Sequence, residues 1–433
     1  MREMKDSGVA WLGDIDSRFD IKAIGNLFTI KKDIIGREPD QVLSITQRGI
    51  KIKDTTSNEG QNAASYAHYQ IVNVGDFAMN HMDLLTGWVD ISQYEGVTSP
   101  DYRVFTLTDN TQIPEYFLRV FQMYYSNRVF YAFGQGAANL GRWRLPRENF
   151  VKIAIPCPPV ELQRKIVDEI AAKVSKVDAL IANQQAQIEK LKQYKQSLIT
   201  EVVTKGLEPN APMKDSGIEW LETIPKCWQV APLKSLFTFG KGLPITKDNL
   251  IESGVPVISY GQIHAKWNSG VTIHEELKRF VSEDYLRTNP NSLVKIGDFI
   301  MADTSEDREG CGNCAYVDTD EQIFAGYHTI ILNATDTLDN KFLAYLFLTD
   351  AWRSQIRKRV SGVKLFSISR RILGNMSVIL PPEEEAHRMV AFLDNKCSKV
   401  DKLIKIKQRK IDELNRYKKA LIYEYVTGKK EVI

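Results

Sequence analysis

The chain is written twice. Residues 4–12 read MKDSGVAWL and residues 213–221 read MKDSGIEWL, at an offset of 209. A longer match follows: SKVDALIANQQAQIEKLKQYKQSLITEVVT over 175–204 returns as SKVDKLIKIKQRKIDELNRYKKALIYEYVT over 398–427, at an offset of 223. The unequal offsets mean that the segments between the matches differ in length. Each half therefore has a shared beginning, a diverged middle and a shared end, and a repeat of this kind restricts the chain to two copies of one architecture.

The shared ends are helical by pattern. In the first, apolar residues fall at alternating steps of three and four through Val167, Ile170, Val174, Val177, Ile181, Ile188, Leu191, Leu198 and Val202, which is a heptad seam. The second repeats the register at Val390, Leu393, Cys397, Val400, Ile404, Ile411, Leu414, Leu421 and Tyr425. The interruptions also agree, with Gln184 and Lys195 answered by Lys407 and Lys418. Polar seam residues cost stability and fix register and partner. Each helix is entered through a double proline, Pro158-Pro159 after Ile155 and Pro381-Pro382 after Ile379. Proline lacks an amide donor and sits well at a helix start. At about 1.5 Å per residue each helix spans roughly 65 Å. A rod with one narrow apolar stripe needs a second rod to cover it, and the other copy is the simplest partner. The alternatives are packing on its own domain and homodimerisation.

The middles, about 21–155 and 230–379, lose the heptads and show short β-rich runs: YRVFTL from Tyr102, VPVISY from Val255 and FAGYHTIIL from Phe324. Each also carries a helical stretch, after Ile113 and after Asp339. A Gly-Asp-Phe step at 75–77 and at 297–299 reads as a turn into a strand, since glycine tolerates positive φ and aspartate bonds nearby amides. The expectation is an α+β fold: two mixed α/β domains (1–155 and 207–380), each followed by a long helix (156–206 and 381–433), with the helices forming an antiparallel coiled coil and the whole a pseudo-twofold repeat.

Apolar residues make up 43% and charged residues 26%, the balance of a folded globular chain. The N-terminus lacks the apolar region of a secretory signal and no apolar run is long enough to span a bilayer, so a cytoplasmic location is expected. Five cysteines in such a compartment read as free thiols. A net charge of +3 means that binding to a polyanion must come from local clusters.

Two diverged domains, each followed by a long helix entered through IP-x-PP or LPP and carrying SKVD and YK-x-x-LI, resemble the DNA-specificity subunits of type I restriction-modification systems. The likeness covers nearly the whole chain. Locally it is carried by GVTSPDYRVF from Gly96, GKGLPITKDNLIESGVPVISYGQI from Gly240 and AGYHTIIL from Ala325. The resemblance implies that each domain is a target-recognition domain reading one half of a bipartite, non-palindromic site. It also implies that the helix pair is a spacer and a platform for two modification (methyltransferase) subunits, with restriction (translocase/nuclease) subunits recruited as well. S-adenosylmethionine, ATP and magnesium would belong to those partners, and none to this chain. An orphan DNA-reading or coiled-coil adaptor without a restriction partner is the alternative.

Base edges are read by amides and guanidinium forks and phosphates are met by cations, so loops mixing these with aromatics are the candidate contacts. In the first domain they are Gln47, Arg48, Lys51 and Lys53, then Arg142, Trp143 and Arg144. In the second they are Lys241, Lys247, Tyr260, Gln262, His264 and Lys266, with Arg308 and Lys364 behind them. The sequence carries no recognisable catalytic signature. The double prolines are followed by Val160 and Glu383, not by the aromatic of an amino-methyltransferase tetrapeptide, and there is no G-x-x-x-x-G-K-[ST] phosphate loop. One CxxC, Cys311 to Cys314, without a second ligand pair reads as a turn with two buried thiols, and His264, His274 and His328 show no ligand spacing. No catalytic residue and no metal site are expected.

Overall fold

The structure is a computed structural model, and it describes residues 3–56, 62–136, 143–335, 340–362 and 364–432. It resolves into two compact units, residues 1–185 with 408–433, and residues 186–407. Both long helices contribute to both units: Val160–Lys205, of 46 residues, and Glu383–Val426, of 44.

In each unit the helices run antiparallel. In the first, Glu169 meets the hydroxyl of Tyr425 at 3.3 Å and Asp178 meets Lys418 at 2.7 Å, so the numbers fall on one rod as they rise on the other. In the second, Lys407 donates to Gln187 and Lys195 meets Asp401 at 2.7 Å. The seam lies between them. Ile170, Val174, Val177 and Ile188 are buried, as are Val390, Leu393, Cys397, Val400, Ile411, Leu421 and Tyr425, while Val167, Ile181, Leu191, Leu198, Ile404 and Leu414 are half-buried. Pairing with the other copy thus prevails, but the rod ends are also packed on domains. Ile166 and Ile170 enter the first core with Leu421, Tyr425 and Val426, and Ile199, Val202 and Val203 enter the second with Met389, Val390 and Leu393. Burying one such side chain is worth about 1.5–3 kcal/mol, which is why the ends carry wider apolar faces than the middles.

The polar interruptions have partners across the seam. Lys195 and Lys418 are equivalent in the repeat, and so are Asp401 and Asp178 of the two SKVD motifs, so the pairs Lys195–Asp401 and Lys418–Asp178 are reciprocal. Each is half-exposed and therefore worth at most about 1 kcal/mol, but only one register satisfies both.

The first domain is built on a four-stranded antiparallel sheet in the order Phe28–Lys31, Arg103–Leu107, Phe77–Met79, Val89–Ile91. Helix Pro114–Ser126 covers it with Phe117 and Phe121 against Phe28, Phe77 and Phe105. The second domain repeats the sheet as Phe237–Lys241, Thr329–Ala334, Phe299–Ala302 and Cys314–Tyr316, and adds a second sheet around Val255–Ile258 and Ile323–Ala325. Pairing gives the equivalences. Phe77 sits opposite Phe105 and Phe299 opposite Leu332, so Arg103 corresponds to Ile330. Ile30 sits opposite Phe105 and Phe239 opposite Leu332, so Lys32 corresponds to Lys241.

The Gly-Asp-Phe steps are turns. Gly75 and Gly297 have φ of 90° and 91°, and each aspartate caps the turn: Asp76 accepts from Asn73 N at 2.9 Å, Asp298 from Lys295 N at 2.8 Å. Other runs are broken where the pattern reads as continuous. FAGYHTIIL is two strands, because His328 adopts φ 54° and Gly326 lies so close to Ser259 that a Cβ would meet its Oγ at 2.1 Å. The helical stretch after Ile113 stops at Ser126 and restarts at Val129, since Arg128 is left-handed at φ 58°. The stretch after Asp339 divides into Lys341–Phe347 and Asp350–Arg357, with the Thr349 hydroxyl capping the second by accepting from Trp352 N. No helix among the described residues is long and apolar enough to cross a membrane.

Candidate nucleic-acid interface

In the first domain the expected contacts fall into two places. Gln47 and Arg48 are exposed at the tip of the hairpin Leu43–Thr46 and Gly49–Ile52. The hairpin is docked from below: Gln47 Nε2 donates to Thr86 O at 3.2 Å, Ile50 N donates to Asp90 Oδ2 at 3.3 Å, and Gly49, at φ 99°, leaves no room for a Cβ beside the same carboxylate. Lys51 is exposed on the outgoing strand, and Lys53 is half-buried with its Nζ 6.0 Å from the Tyr66 ring. Gln47 and Arg48 also line a cavity of about 540 Å³ with Arg119, Lys418 and Lys419.

The other place is the backbone bridge between Gln135 and Arg144. Arg142 lies outside the described residues. Trp143 is partly buried: its indole donates to Tyr131 O at 2.8 Å and the ring covers Gly134, which ties it to the end of the preceding helix. Arg144 is exposed and lines a second cavity, of about 490 Å³, with Lys32, His81, Arg103 and Arg147. Gln47 and Arg48 thus line one cavity and Arg144 another, and the neighbouring cations Lys32, Arg103, Arg119, Arg147 and Lys419 carry no signal of their own in the sequence, while Lys418 reads there only as a seam interruption. Arg103 lies within the quoted YRVF run, but a strand arginine carries no signal that separates it from a surface charge until its burial is known.

In the second domain Lys241 ends its strand, Lys247 is exposed in a turn capped by Thr246 and Asn249, and Lys266 is exposed beyond the short helix Tyr260–Ile263. Gln262 serves that helix as a cap, its Oε1 accepting from Ser259 N at 3.1 Å. Tyr260 and His264 come together on a cavity of about 590 Å³ with Asp307, Asn313 and Arg353. A relay orders this wall. Arg353, half-buried, donates from Nε to Phe347 O at 2.7 Å and from Nη1 to Asn313 Oδ1 at 2.6 Å. The Asn313 amide nitrogen then faces His264 Nδ1 at 3.0 Å, and His264 Nε2 lies 2.9 Å from Thr304 O. A carbonyl can only accept, so the imidazole hydrogen sits on Nε2 and Nδ1 accepts from the amide. Arg308 stands 5.6 Å from the Phe366 ring and Lys364 is exposed nearby in sequence. Lys241, Lys247 and Lys266 do not line this cavity.

The CxxC thiols are both buried, and burial pushes Cys314 up to about 12, well away from the thiolate a metal would need. Among the described residues no three His, Cys, Asp or Glu side chains gather as metal ligands. What the surface offers is cations, amides and aromatics around cavities beside the central sheets, which suits contact with a polyanion whose edges differ along its length.

Residues 225–416 match the model of the type I restriction modification DNA specificity domain. The chain is 27% identical over 286 residues to the type I restriction enzyme MjaVIII specificity subunit of Methanocaldococcus jannaschii, covering 65% of this chain and 63% of that protein. It is 24% identical over 432 residues to the putative MjaX specificity subunit of the same organism, covering 94% of this chain and 91% of that one. The chain is thus similar to type I restriction-modification specificity subunits, by the family model in its second half and by the MjaX subunit over nearly its whole length. The fold agrees: a chain from a solved type I system superimposes with a TM-score of 0.68 over 95% of this chain and 98% of that chain, at 15% identity.

Proposed function

We propose that this chain reads a bipartite, non-palindromic DNA sequence, one half with each domain, and sets the distance between the halves with its helix pair. The observation that carries the reading is the contrast between like helices, locked by reciprocal ion pairs, and unlike cavities beside equivalent sheets. Reading different base sequences requires different donors and acceptors on a common frame. The functional segments are taken as 1–155 and 207–380 for recognition and 156–206 and 381–433 for spacing. The contacts are drawn from Gln47, Arg48, Lys51, Lys53, Arg142 and Arg144 in the first domain, and from Lys241, Lys247, Tyr260, His264, Lys266, Arg308 and Lys364 in the second. Trp143 and Gln262 support them.

The chain docks two modification subunits, one for each copy of the repeat, together with restriction subunits. The partners carry S-adenosylmethionine, ATP and magnesium. Two measurements test the reading. Mapping methylated bases in the host genome is expected to give one motif with two unlike specified parts and a fixed unread gap. Titrating salt against binding of that duplex is expected to give a steep linear loss of log affinity, with a slope near −0.9 per phosphate met. Binding that ignores both sequence and salt would overturn it.

A further inference from the structure

The cavity of about 490 Å³ in the first domain holds a buried cation that, among the described residues, no carboxylate contacts. Arg103 is 5% exposed, and its guanidinium lies 4.5 Å from the Phe150 ring. Nη2 donates to Leu145 O at 2.9 Å, whereas Nη1 is buried without a hydrogen-bond partner among the described residues. His81, on the same wall, has its Nδ1 buried and likewise without a partner. Burial first, then the charge of Arg103, pushes this histidine down to about 3, so it is neutral and offers no competing cation. Burial pulls Arg103 itself down to about 10, still charged at physiological pH.

A buried cation with no carboxylate in contact is a costly arrangement, and proteins keep one where a ligand supplies the counter-charge. The rim repeats the demand. Lys32, Arg144 and Arg147 line the opening and, among the described residues, form no ion pair, while the carboxylates there are Asp101 and Glu148. Lys31 is already matched, with its Nζ 2.8 Å from Asp76. The second domain has no counterpart, because the position equivalent to Arg103 is Ile330.

We propose that this cavity seats one backbone phosphate of bound DNA, with Arg103 as its inner ligand and Lys32, Arg144 and Arg147 at its mouth. Nη1 donates to a phosphate oxygen, and the phosphate charge offsets a guanidinium that, among the described residues, no carboxylate contacts. The domain is thereby pinned in register on the duplex. The assignment rests on the DNA-reading function proposed above and goes beyond it by naming one phosphate and one residue.

The test uses the full chain and a duplex carrying its mapped site, with single neutral methylphosphonates placed in turn through both half-sites. One position in the first domain's half-site is expected to weaken binding about tenfold, a charge-assisted bond being worth about 1.4 kcal/mol or more. Arg103→Met is expected to weaken the unmodified duplex similarly, to lower the salt slope by about one, and to abolish sensitivity at that position alone. Should Arg103→Met fail to fold, Arg144→Met, exposed and outside the core, is expected to reduce the same sensitivity. If no position loses its effect in either variant, the cavity is not a phosphate seat. If 7-deazaguanine in that half-site reproduces the loss and methylphosphonates do not, Arg103 reads a base and the proposal falls. If the unmodified duplex is bound no better than random DNA, it is the DNA-reading function that has failed.

Discussion

At the end of the central sheet the first domain places His81 and Arg103 where the second places Asp303 and Ile330, and at the start of the long helix the first buries Gln163 where the second has Ala386. Gln163 is tied on three sides, donating to Gln112 Oε1 at 2.7 Å and Pro158 O at 2.8 Å and accepting from Ile113 N at 3.0 Å. At the corresponding place the second domain has a cavity of about 380 Å³ lined by Asn340, Phe342 and Ala386. The rods, by contrast, place their polar interruptions at the same positions and keep identical residues at the reciprocal pairs Lys195–Asp401 and Lys418–Asp178. The copies have diverged where a domain can change alone and remain identical at the ion pairs that both rods share.

That contrast can be broken most directly by exchanging residues 21–155 for the matching segment of a related specificity subunit. One half of the methylated motif is expected to change completely and the other not at all, read by mapping modified bases. Change in both halves would mean that the domains do not read independently. The next largest effect concerns the rods. Seven residues inserted in register after Gln184 and seven after its equivalent, Lys407, keep both reciprocal ion pairs, and at about 1.5 Å per residue lengthen the rod by about 10 Å. The unread gap is expected to grow by about three base pairs at 3.4 Å each, with both halves intact. Insertion in the first helix alone leaves one of the two pairs out of register and is expected to lower stability as well.

Much of this was open to reading in the sequence, and the reason is periodicity. A seam repeated over heptads averages out single misfits, so Ile170, Val177, Val400 and Leu421 announce a covered stripe without reference to anything distant in the chain. The antiparallel sense of the pairing becomes visible once Lys195 is seen to reach Asp401. The cavities could not be read in the same way. Arg103 and His81 acquire meaning only through burial, which pairings with strands far away in sequence create. Trp143, an aromatic between arginines, also uses its indole proton on the backbone of Tyr131, a role that no sequence pattern signals. The breaks at Arg128 and His328 were equally hidden, since neither residue type signals a left-handed backbone.

Two smaller perturbations sharpen the comparison of the copies. Gln163→Ala gives the first domain the residue of the second and strands a buried amide, so a loss of roughly 1–3 kcal/mol is expected in urea unfolding. No change would mean that the helix entrance is already loose. The smallest effect involves Cys397, which occupies the seam position held by Val174 in the other rod. Burial pushes its thiol up to about 11, above the value near 8.5 of an unfolded chain. The unfolded chain therefore loses this proton first as pH rises. The thiol's contribution is intact below about pH 8.5 and is lost as pH climbs through about 11. Cys397→Val is expected to make the alkaline decline shallower while leaving stability at pH 7 nearly unchanged, as followed by thermal melts across that range.

The reciprocal ion pairs carry an implication for how such a chain can change over time. The aspartate of each copy answers the lysine of the other, so a substitution in one SKVD motif is felt at the far end of the opposite repeat. Drift at these four rod positions is coupled in pairs, by at most about 1 kcal/mol each, whereas replacing a reading domain leaves them untouched. New specificities can thus arise abruptly on an unaltered ruler.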